Sequence, residues 1–505
     1  MCALATALLA ATSVSAADEY DVIVVGSGPG GLVAAEFLTR KTDVSVLVLE
    51  AGDVSLKASG GTDGPAYAKS AGWTQFDIPG EFDNVIYNKA NEKYRIDWVE
   101  KPYMWLGKLV GGCSSVNAAL YFRTSDSIVG SALQSLGYTA KTLNDMDAKN
   151  KKSKTYGHAP YAISGGLRDA PAKTFYSAMK DRKNFKMVTQ ATVQFIAQKG
   201  GQATGVTYVT GDKEKVAVSL SKRGIVIMAA GALSTPKVLM QSGIGPQKQL
   251  ELLATMKDYE GVPSSKDNWV LNENVGQSVF DTNVVFATFS NSNMTSFSYK
   301  KRPESAITQY VKDQSGPWAI PGPVLIAYET MTIGDREYDM QTTVLPHGFG
   351  DDYDTAGTYT MSFYINNPQS HDLSVMQKYA TKMIGGIKDT KRCADETFKV
   401  IGTKNVYVSD ASLMKEGTVN PYGFVMYIGY QAAKNVLSQA FNVTSVPGTG
   451  STKNDASGKR SGASSSSGTG MSSPSPTPHS TANSASAVQC TGLLVAFMLS
   501  WFWNC

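Results

Sequence analysis

Residues 21–50 read DVIVVGSGPGGLVAAEFLTRKTDVSVLVLE, and this stretch decides the fold. The apolar run Asp21–Val25 predicts a buried strand, which leads into Gly26, Gly28 and Gly31. A tight turn, close approach of the backbone to a pyrophosphate, and close helix packing each exclude a Cβ at one of these glycines. The window therefore predicts a βαβ nucleotide-binding unit.

An acidic residue and a helix N-terminus complete this predicted site. Glu50 ends the second predicted strand, at the place where an acid accepts hydrogen bonds from an adenosine ribose. The helix that follows the glycines directs its first backbone amides at phosphate. The alternative is an ordinary glycine turn, which would not need a second strand and an acidic residue after it. The pattern serves FAD and NAD alike, so both cofactors remain open on this window alone.

The composition is that of a large globular protein. Its 505 residues are 42% hydrophobic and 18% charged, which is enough for two domains. A net charge of +4 gives no reason to expect a nucleic-acid partner. No metal site is predicted.

The N-terminal segment resembles an export signal. Residues 1–16 form an apolar, small-residue run ending in Val14-Ser15-Ala16, which predicts a signal peptide cleaved before Ala17. The run lacks a Lys or Arg, and a disordered or buried N-terminus is the alternative. Two glycosylation sequons, beginning at Asn293 and Asn442, agree with secretion.

The C-terminal segment predicts a stalk and a lipid anchor. Residues 448–486 are almost all Ser, Thr, Gly, Ala and Pro, a composition that stays disordered. The hydrophobic tail within 487–505 is too short to span a bilayer, and with the small residues before it the pattern predicts a GPI-attachment signal. A plain tail anchor or an amphipathic end is the alternative. After processing, only Cys113 and Cys393 would remain, so no disulfide framework is expected.

Two further segments carry glycines and small residues in patterns that suit a ligand. Residues 107–123 read GKLVGGCSSVNAALYFR, and residues 224–245 read GIVIMAAGALSTPKVLMQSGIG. The first lets backbone approach a planar or phosphorylated ligand. The second predicts a buried strand, a turn at Gly231 and a helix with Pro236 in its first turn. Taken alone, each could be a generic strand–helix pair or a tightly packed helix N-terminus.

Together these segments resemble the two signatures of the glucose–methanol–choline (GMC) family of FAD oxidoreductases. The first departs from the family pattern at Val110 and Cys113, where Leu and Ser are usual. A third segment, 405–433, looks like the family's C-terminal strand, flavin loop and closing helix. Within the family, residues 60–80 and 267–282 look most like the flavin domain of cellobiose dehydrogenases, which implies a sugar or related alcohol as substrate.

The resemblance implies FAD as the cofactor and assigns residues to its parts. It places Gly26, Gly28 and Gly31 at the pyrophosphate, Glu50 at the adenosine ribose, Val193 at the adenine through its backbone, Gly111, Gly112, Ser114 and Asn117 along the flavin, and Asp410 and Ala411 at the ribityl–diphosphate side.

The resemblance also implies a catalytic pair, of which the chain keeps one member. Asn420 falls at the place of the second member, although an Asn before Pro is also a common turn residue. Oxidation by hydride transfer to flavin N5 needs a base as well, which is a His in this family. The corresponding residues 383–400 contain no His.

The remaining histidines and two short junctions bear on activity. His158, His347 and His371 lie in loop-like sequence, where surface positions are expected, and His479 lies in the stalk. The chain looks shortened after Arg123 and over residues 370–389. Alternative splicing or an error in the gene model would explain both gaps, and so would a decayed relative that keeps FAD without turnover.

We therefore predict an α/β fold with a discontinuous FAD-binding Rossmann-like domain interleaved with a mixed α+β substrate domain. The first takes residues 18–125, 186–250 and 395–440, and the second takes 126–185 and 251–394.

The predicted function is a secreted FAD-dependent oxidoreductase acting on CH–OH donors, impaired if the His segment is absent. The partners would be a small carbohydrate or alcohol, an electron acceptor that is oxygen or another molecule, and a membrane through the anchor. A non-catalytic FAD-binding surface protein and an NAD-dependent enzyme are the alternatives.

Overall fold

The structure is a computed structural model that describes the chain in several ranges. These are residues 19–40, 42–100, 103–120, 139–140, 153–256, 259–277, 284–333, 336–350, 354–366, 392–414 and 421–443. The predicted signal peptide, stalk and hydrophobic tail lie outside the described residues, as do Asn420, His371 and His479.

Helices are distributed along the whole described chain. The α-helices are α1 (Pro29–Thr39), α2 (Phe82–Tyr87), α3 (Pro171–Met179), α4 (Ser234–Gln241), α5 (Gln247–Ala254), α6 (Glu304–Asp313) and α7 (Tyr422–Ala440). Short 3-10 helices cover Lys57–Ser59, Ala66–Ala68, Pro79–Glu81, Lys89–Tyr94, Gly112–Ser115, Lys266–Asn268, Pro317–Ala319 and Ala411–Leu413.

Strands fall into two larger sheets and three small pairs. They are β1 (Glu19–Val25), β2 (Val46–Leu49), β3 (Arg95–Glu100), β4 (Tyr103–Gly107), β5 (Thr139–Ala140), β6 (Thr155–His158), β7 (Ile163–Ser164), β8 (Leu167–Arg168), β9 (Phe185–Val188), β10 (Thr192–Lys199), β11 (Gln202–Val209), β12 (Lys215–Met228), β13 (Ile244–Gly245), β14 (Val270–Leu271), β15 (Val284–Ser290), β16 (Leu325–Ile333), β17 (Arg336–Leu345), β18 (Thr358–Asn366) and β19 (Val406–Val408).

The seven-stranded sheet has a parallel part and an antiparallel part, both of which include β12. Its strand order is β10-β11-β12-β1-β2-β9, and β19 pairs with the last residues of β12. The strands β9, β2, β1 and β19 and the end of β12 are parallel to one another. The strands β10 and β11 add an antiparallel extension onto the start of β12.

The β-branched run of β1 forms a strand because both faces of the sheet are covered. Ile23 and Val25 pack into one apolar core, and Val22 and Val24 pack into the other on the opposite face. Strands of parallel sheets that are buried on both faces have such continuous apolar sequences. The helix α1 lies against this sheet and packs on α7 so closely that a Cβ at Gly429 would lie 2.4 Å from the Gly30 carbonyl oxygen.

The six-stranded sheet is built from later segments of the chain. Its order is β15-β18-β17-β16-β6-β5, with antiparallel pairing throughout except between β5 and β6. The face that carries Ile326 and Tyr328 packs on Phe82, Ala118 and Leu120. This sheet therefore lies directly beside the GGCSSVNAAL segment.

The structure confirms the predicted α/β fold, with its Rossmann-like unit formed by β1, α1 and β2. The helix expected after Gly231 is α4, and Pro236 lies in its first turn as predicted. The division into two domains stays a prediction. Cys113 and Cys393 are not joined by a disulfide bond. Among the described residues, the helices lack the length and apolar character needed to cross a bilayer.

Candidate cofactor site

The glycine turn after β1 contains glycines of two kinds. Gly26 has a φ of +101°, and a Cβ there would lie 2.3 Å from the Ala229 carbonyl oxygen; a Cβ at Gly31 would lie 2.2 Å from the Gly26 carbonyl oxygen. The fold itself therefore requires glycine at both positions. Gly28 differs, because its φ is −62° and a Cβ would meet only the Ala229 oxygen at 3.8 Å. The space in front of Gly28 is open.

The helix α1 begins at this open space without a cap of its own. Gly28 is the N-cap residue, no side chain caps the helix, and its first turn contains no acidic residue. Unpaired backbone amides and the positive end of the helix dipole form a ready site for an anion.

The GGCSS segment lies against the same turn. The Gly111 amide donates to the Ser27 carbonyl oxygen at 3.0 Å, and a Cβ at Gly112 would lie 3.2 Å from the Gly28 Cα. Residues Gly112–Ser115 form a 3-10 helix rather than the start of an α-helix on the sheet. The Ser114 hydroxyl is buried and donates to the Gly111 carbonyl oxygen at 2.6 Å.

Asp410 joins the turn at Gly231 to the loop that follows β19, at the carboxyl end of β1. One carboxylate oxygen accepts from the Gly231 amide at 2.9 Å and the Thr235 hydroxyl at 2.5 Å, and the other accepts from the Ser412 amide at 2.8 Å. Burial raises the pKa of Asp410, and the hydrogen bonds from Ser412, Thr235 and Gly231 oppose that rise. Ala411, the next residue, is half-buried.

Glu50 contacts the glycine turn itself, which the sequence did not predict. One carboxylate oxygen accepts from the Ser27 amide at 2.9 Å and the Ser27 hydroxyl at 2.6 Å, and the other accepts from the Gly52 amide at 2.8 Å. Burial raises the pKa of Glu50, while these hydrogen bonds lower it in part. The Ala191 amide donates to the Glu50 carbonyl oxygen at 2.8 Å, which brings Val193 and β10 beside this acid.

Asn117 is held by a residue that sequence reasoning missed. Its Oδ1 accepts from Arg168 Nη1 at 2.9 Å and from the Ala119 amide at 3.0 Å. Arg168 also donates to the Ser114 carbonyl oxygen at 3.2 Å and, through Nε, to the Phe76 carbonyl oxygen at 3.0 Å. Burial lowers the pKa of Arg168 to about 10, against the effect of nearby Tyr422 and Asp77. No sequence motif marks an Arg in the short strand β8.

The predicted catalytic residue lies outside the described residues, but two histidines can be placed. Nδ1 of His158 lies 2.9 Å from the Val324 carbonyl oxygen. Nε2 of His347 lies 3.8 Å from an Asp83 carboxylate oxygen, and this His side chain is only 12% exposed. Both are more buried than their loop-like sequences predicted. Among the described residues, no cluster of His, Cys, Asp and Glu could hold a metal ion.

Comparison with known proteins finds similarity over parts of the chain. A family model described as GMC oxidoreductase matches residues 127–282, and one described as NAD(P)-binding Rossmann-like domain matches residues 24–75. Oxygen-dependent choline dehydrogenase of Pectobacterium atrosepticum is 27% identical over 300 residues, covering 48% of this chain and 52% of that protein. The choline dehydrogenase of Pseudomonas putida F1 is 25% identical with the same coverage. Over these residues the chain is similar to GMC oxidoreductases.

Solved structures share the fold of this chain. A formate oxidase structure has a TM-score of 0.61 at 14% identity, covering 84% of this chain and 99% of that chain. A pyridoxine 4-oxidase from Mesorbium loti has a TM-score of 0.59 at 16% identity, covering 82% and 98%. A fungal aryl-alcohol oxidase has a TM-score of 0.56 at 14% identity, covering 84% and 100%.

FAD as the cofactor is confirmed. The match spans about half of the length of the curated relatives, 52% for the choline dehydrogenase of P. atrosepticum.

Proposed function

We propose that this protein is a FAD-dependent oxidoreductase of the GMC family, acting on the CH–OH group of an alcohol-type donor. One observation carries the proposal: four segments far apart in the sequence meet around Gly28 at the carboxyl end of β1. They are the glycine turn, the GGCSS segment, the Gly231 turn and the Asp410 loop, joined by the hydrogen bonds and close approaches given above. In open α/β sheets this is the end at which ligands bind.

The residues present fit FAD. The open space at Gly28 and the uncapped, acid-free start of α1 suit a pyrophosphate. Glu50 uses both carboxylate oxygens in the turn but keeps lone pairs that can accept from ribose hydroxyls. Gly111, Gly112, Ser114 and Asn117 would lie along the flavin, Val193 at the adenine, and Asp410 and Ala411 at the ribityl side. FAD, when bound, supplies the hydride acceptor.

The finer substrate assignment rests on sequence. The likeness of residues 60–80 and 267–282 to cellobiose dehydrogenase flavin domains supports a sugar or related alcohol. The choline dehydrogenases and the aryl-alcohol oxidase named above support the broader class of alcohols. We propose a carbohydrate-derived alcohol as the donor, with simple alcohols as the broader class.

The chain's own residues limit the rate of this chemistry. Asn420 can donate to or accept from a substrate oxygen, but it takes up no proton at neutral pH. The absence of His from residues 383–400 therefore favours an impaired enzyme. A second candidate function, a non-catalytic FAD-binding surface protein, is favoured by the same observation.

Location is proposed from the sequence as well. The signal-like residues 1–16, the two sequons and the GPI-type segment within 487–505 support a secreted protein held at the membrane by a lipid. Release of the protein from cells by a phosphatidylinositol-specific phospholipase is expected. Retention after treatment, with Trp501 found in the mature chain by mass spectrometry, would contradict the lipid anchor.

Flavin absorbance and anaerobic reduction test the function. The purified protein is expected to carry or take up FAD and to show bleaching of the flavin band with an alcohol donor. Cellobiose, glucose, choline and benzyl alcohol would be compared as donors. Bleaching too slow to measure with all four would favour the non-catalytic candidate, and a folded protein that takes up no FAD would contradict both functions.

A further inference from the structure

Asn117 has only one way to orient its side-chain amide. The two groups that face Oδ1, the Arg168 guanidinium and the Ala119 backbone amide, are obligate donors. Only a carbonyl oxygen can face them, so the reversed amide, with Nδ2 toward both, is excluded on chemical grounds. The Asn117 backbone amide is fixed too, since it donates to the Cys113 carbonyl oxygen at 2.9 Å.

The Nδ2 atom of this amide can donate hydrogen bonds to a ligand. Among the described residues, none accepts a hydrogen bond from Asn117 Nδ2, and Asn117 keeps 8% of its surface exposed. The residue follows the GGCSS segment, which lies against the Gly28 turn. A fixed amide at this place presents two N–H donors to whatever occupies the site.

Arg168 is an unusual residue to find in such a place. Its side chain is buried, and its hydrogen bonds go to two carbonyl oxygens and one amide oxygen. No carboxylate of the described residues forms an ion pair with it. A buried charge that forms no ion pair is costly, and the cost favours a role beyond stability.

The Asp77 carboxylate is near but is already engaged. Its Oδ2 accepts from the Thr74 amide and hydroxyl and from the Lys57 amide. The hydrogen bond between the two residues joins the Asp77 carbonyl oxygen and the backbone amide of Arg168, at 2.8 Å. The guanidinium is therefore directed at Asn117 and Ser114 rather than at an acid.

We propose that Arg168 is a positioning residue for the cofactor, which acts by fixing the Asn117 amide so that Nδ2 donates to FAD. The inference rests on the proposed FAD binding, and nothing in the family comparison assigns a role to this Arg. It predicts the direction of the hydrogen bond between Asn117 and FAD. Asn117 Nδ2 donates to an acceptor atom of FAD, and the amide does not accept from a donor of FAD.

An isosteric variant tests the direction of this hydrogen bond. Asn117→Asp keeps an oxygen for Arg168 and the Ala119 amide but replaces Nδ2 by a second oxygen. We expect apo-protein stability to be equal or higher, because the new carboxylate pairs with Arg168, while FAD affinity falls about tenfold or more. The readouts are the thermal midpoint of the apo-protein and the FAD dissociation constant by quenching of flavin fluorescence. Unchanged affinity in this variant would overturn the inference.

A double-mutant cycle tests whether Arg168 acts through Asn117. Arg168→Met is expected to weaken FAD binding about fivefold or more in the wild-type background but less than about twofold in the Asn117→Ala background. Equal losses in both backgrounds would overturn the inference. If Arg168→Met does not fold, Arg168→Lys, which keeps a charged donor without the planar fork, takes its place in the same cycle with the same criterion.

The matched control is Arg182, which holds α1 through Glu36 and has no contact with Asn117. Arg182→Met is expected to lower the thermal midpoint without changing FAD affinity below that midpoint. A fall in FAD affinity in this control as large as that of Arg168→Met would assign both effects to general stability and contradict the inference. Wild-type protein that binds no FAD would contradict the proposed function as well, so the two failures are distinguishable.

Discussion

At the residue scale, the three glycines of the fingerprint meet different demands. Gly26 and Gly31 are required by their neighbours, since a Cβ at either position would lie within about 2.3 Å of a backbone oxygen. Gly28 is required by nothing in the protein, because a Cβ there is 3.8 Å from its nearest neighbour. The sequence motif alone does not separate these cases, and the distances do.

Substitution of Gly28 should therefore separate binding from folding. We expect Gly28→Val to fold with a thermal midpoint close to wild type and to bind no FAD, because the side chain fills the open space in front of α1. Circular dichroism and flavin absorbance after added FAD are the measurements.

The matched control for this prediction is Gly31→Ala. Its single methyl group would lie 2.2 Å from the Gly26 carbonyl oxygen, so we expect a loss of about 3 kcal/mol in the free energy of unfolding. Equal effects of the two substitutions on stability would contradict the distinction between Gly28 and Gly31.

Asp410 illustrates a second residue-scale property, the number of acceptor atoms. Donors approach both of its carboxylate oxygens, and an amide has only one oxygen. We expect Asp410→Asn to lower the free energy of unfolding by about 1–3 kcal/mol, because one buried N–H is left facing an NH₂ group. Denaturant unfolding of the apo-protein measures the loss.

Asp395 offers the matched control for Asp410. Three donors from Thr397 and Lys399 all approach the same carboxylate oxygen of Asp395, so an Asn oxygen can replace it. Asp395→Asn should cost clearly less than Asp410→Asn. Because both substitutions remove one negative charge, an equal or reversed order of the two losses would contradict the account from acceptor number.

At the scale of elements, α1 is held in place by an ion-pair cluster as well as by packing. The buried Glu36 carboxylate accepts from Arg40 at 2.5 Å and from Arg182 at 2.7 Å. Arg182 also donates to the Glu36 carbonyl oxygen and the Thr39 hydroxyl, each at 2.8 Å. The loop before β9 is thereby tied to the helix that begins at the candidate cofactor site.

This cluster predicts how stability depends on pH. Burial alone would raise the pKa of Glu36, but hydrogen bonds from Arg40 and Arg182 outweigh it and lower the pKa below its ordinary value of 4.5. The stabilisation is therefore present above pH 4.5 and lost as the pH falls through the folded-state pKa. Glu36→Gln should cost roughly 2 kcal/mol near pH 7 and less near pH 3, where the pH falls toward the folded-state pKa.

Urea unfolding of wild type and variant at the two pH values measures this difference. The control is Glu251→Gln, because Glu251 pairs with Lys266 on the exposed surface. It should leave stability unchanged at both pH values. A Glu36→Gln cost that is independent of pH would contradict the ion-pair account.

The strand β1 and the helix α4 were largely predictable from the sequence, whereas several side-chain contacts were not. The predicted strand Asp21–Val25 is most of β1, and the helix expected near Pro236 is α4, because local apolar patterns and glycine turns determine both. The contacts of Glu50 with Ser27 and of Arg168 with Asn117 were not predictable, because they join side chains far apart in sequence with no motif linking them. The GGCSS segment lies against the Gly28 turn, and its 3-10 form was not foreseen.

At the scale of the whole molecule, the segment that precedes β3 contacts the part of the chain between β15 and β16. Trp318 Nε1 donates to the Tyr67 hydroxyl at 2.9 Å, and Tyr67 donates to the buried Glu81 carboxylate at 2.6 Å. Arg302 pairs with the other oxygen of that carboxylate. Tyr67 and Glu81 thus connect this segment to the part of the chain between β15 and β16.

Activity is the property that depends on the whole molecule, because it needs the cofactor site and a base together. A positioned base contributes roughly 10²–10⁴-fold to a proton transfer. A chain with an intact FAD site and no His in residues 383–400 should therefore bind FAD and turn over cellobiose, glucose and simple alcohols weakly or not at all. Steady-state assays with an artificial electron acceptor, beside flavin absorbance, measure the two properties separately.

Restoring a His-bearing segment near residues 389–393 should raise turnover while leaving FAD affinity unchanged, since the segment supplies the base and not the cofactor contacts. The control is His371→Ala in the unmodified chain, which is expected to change nothing, because an unsupported loop His is usually a surface residue. Turnover at the level of active relatives in the unmodified chain, lost in His371→Ala, would make His371 the base. The same turnover unaffected by His371→Ala would assign the base to another residue and contradict the impaired enzyme as well.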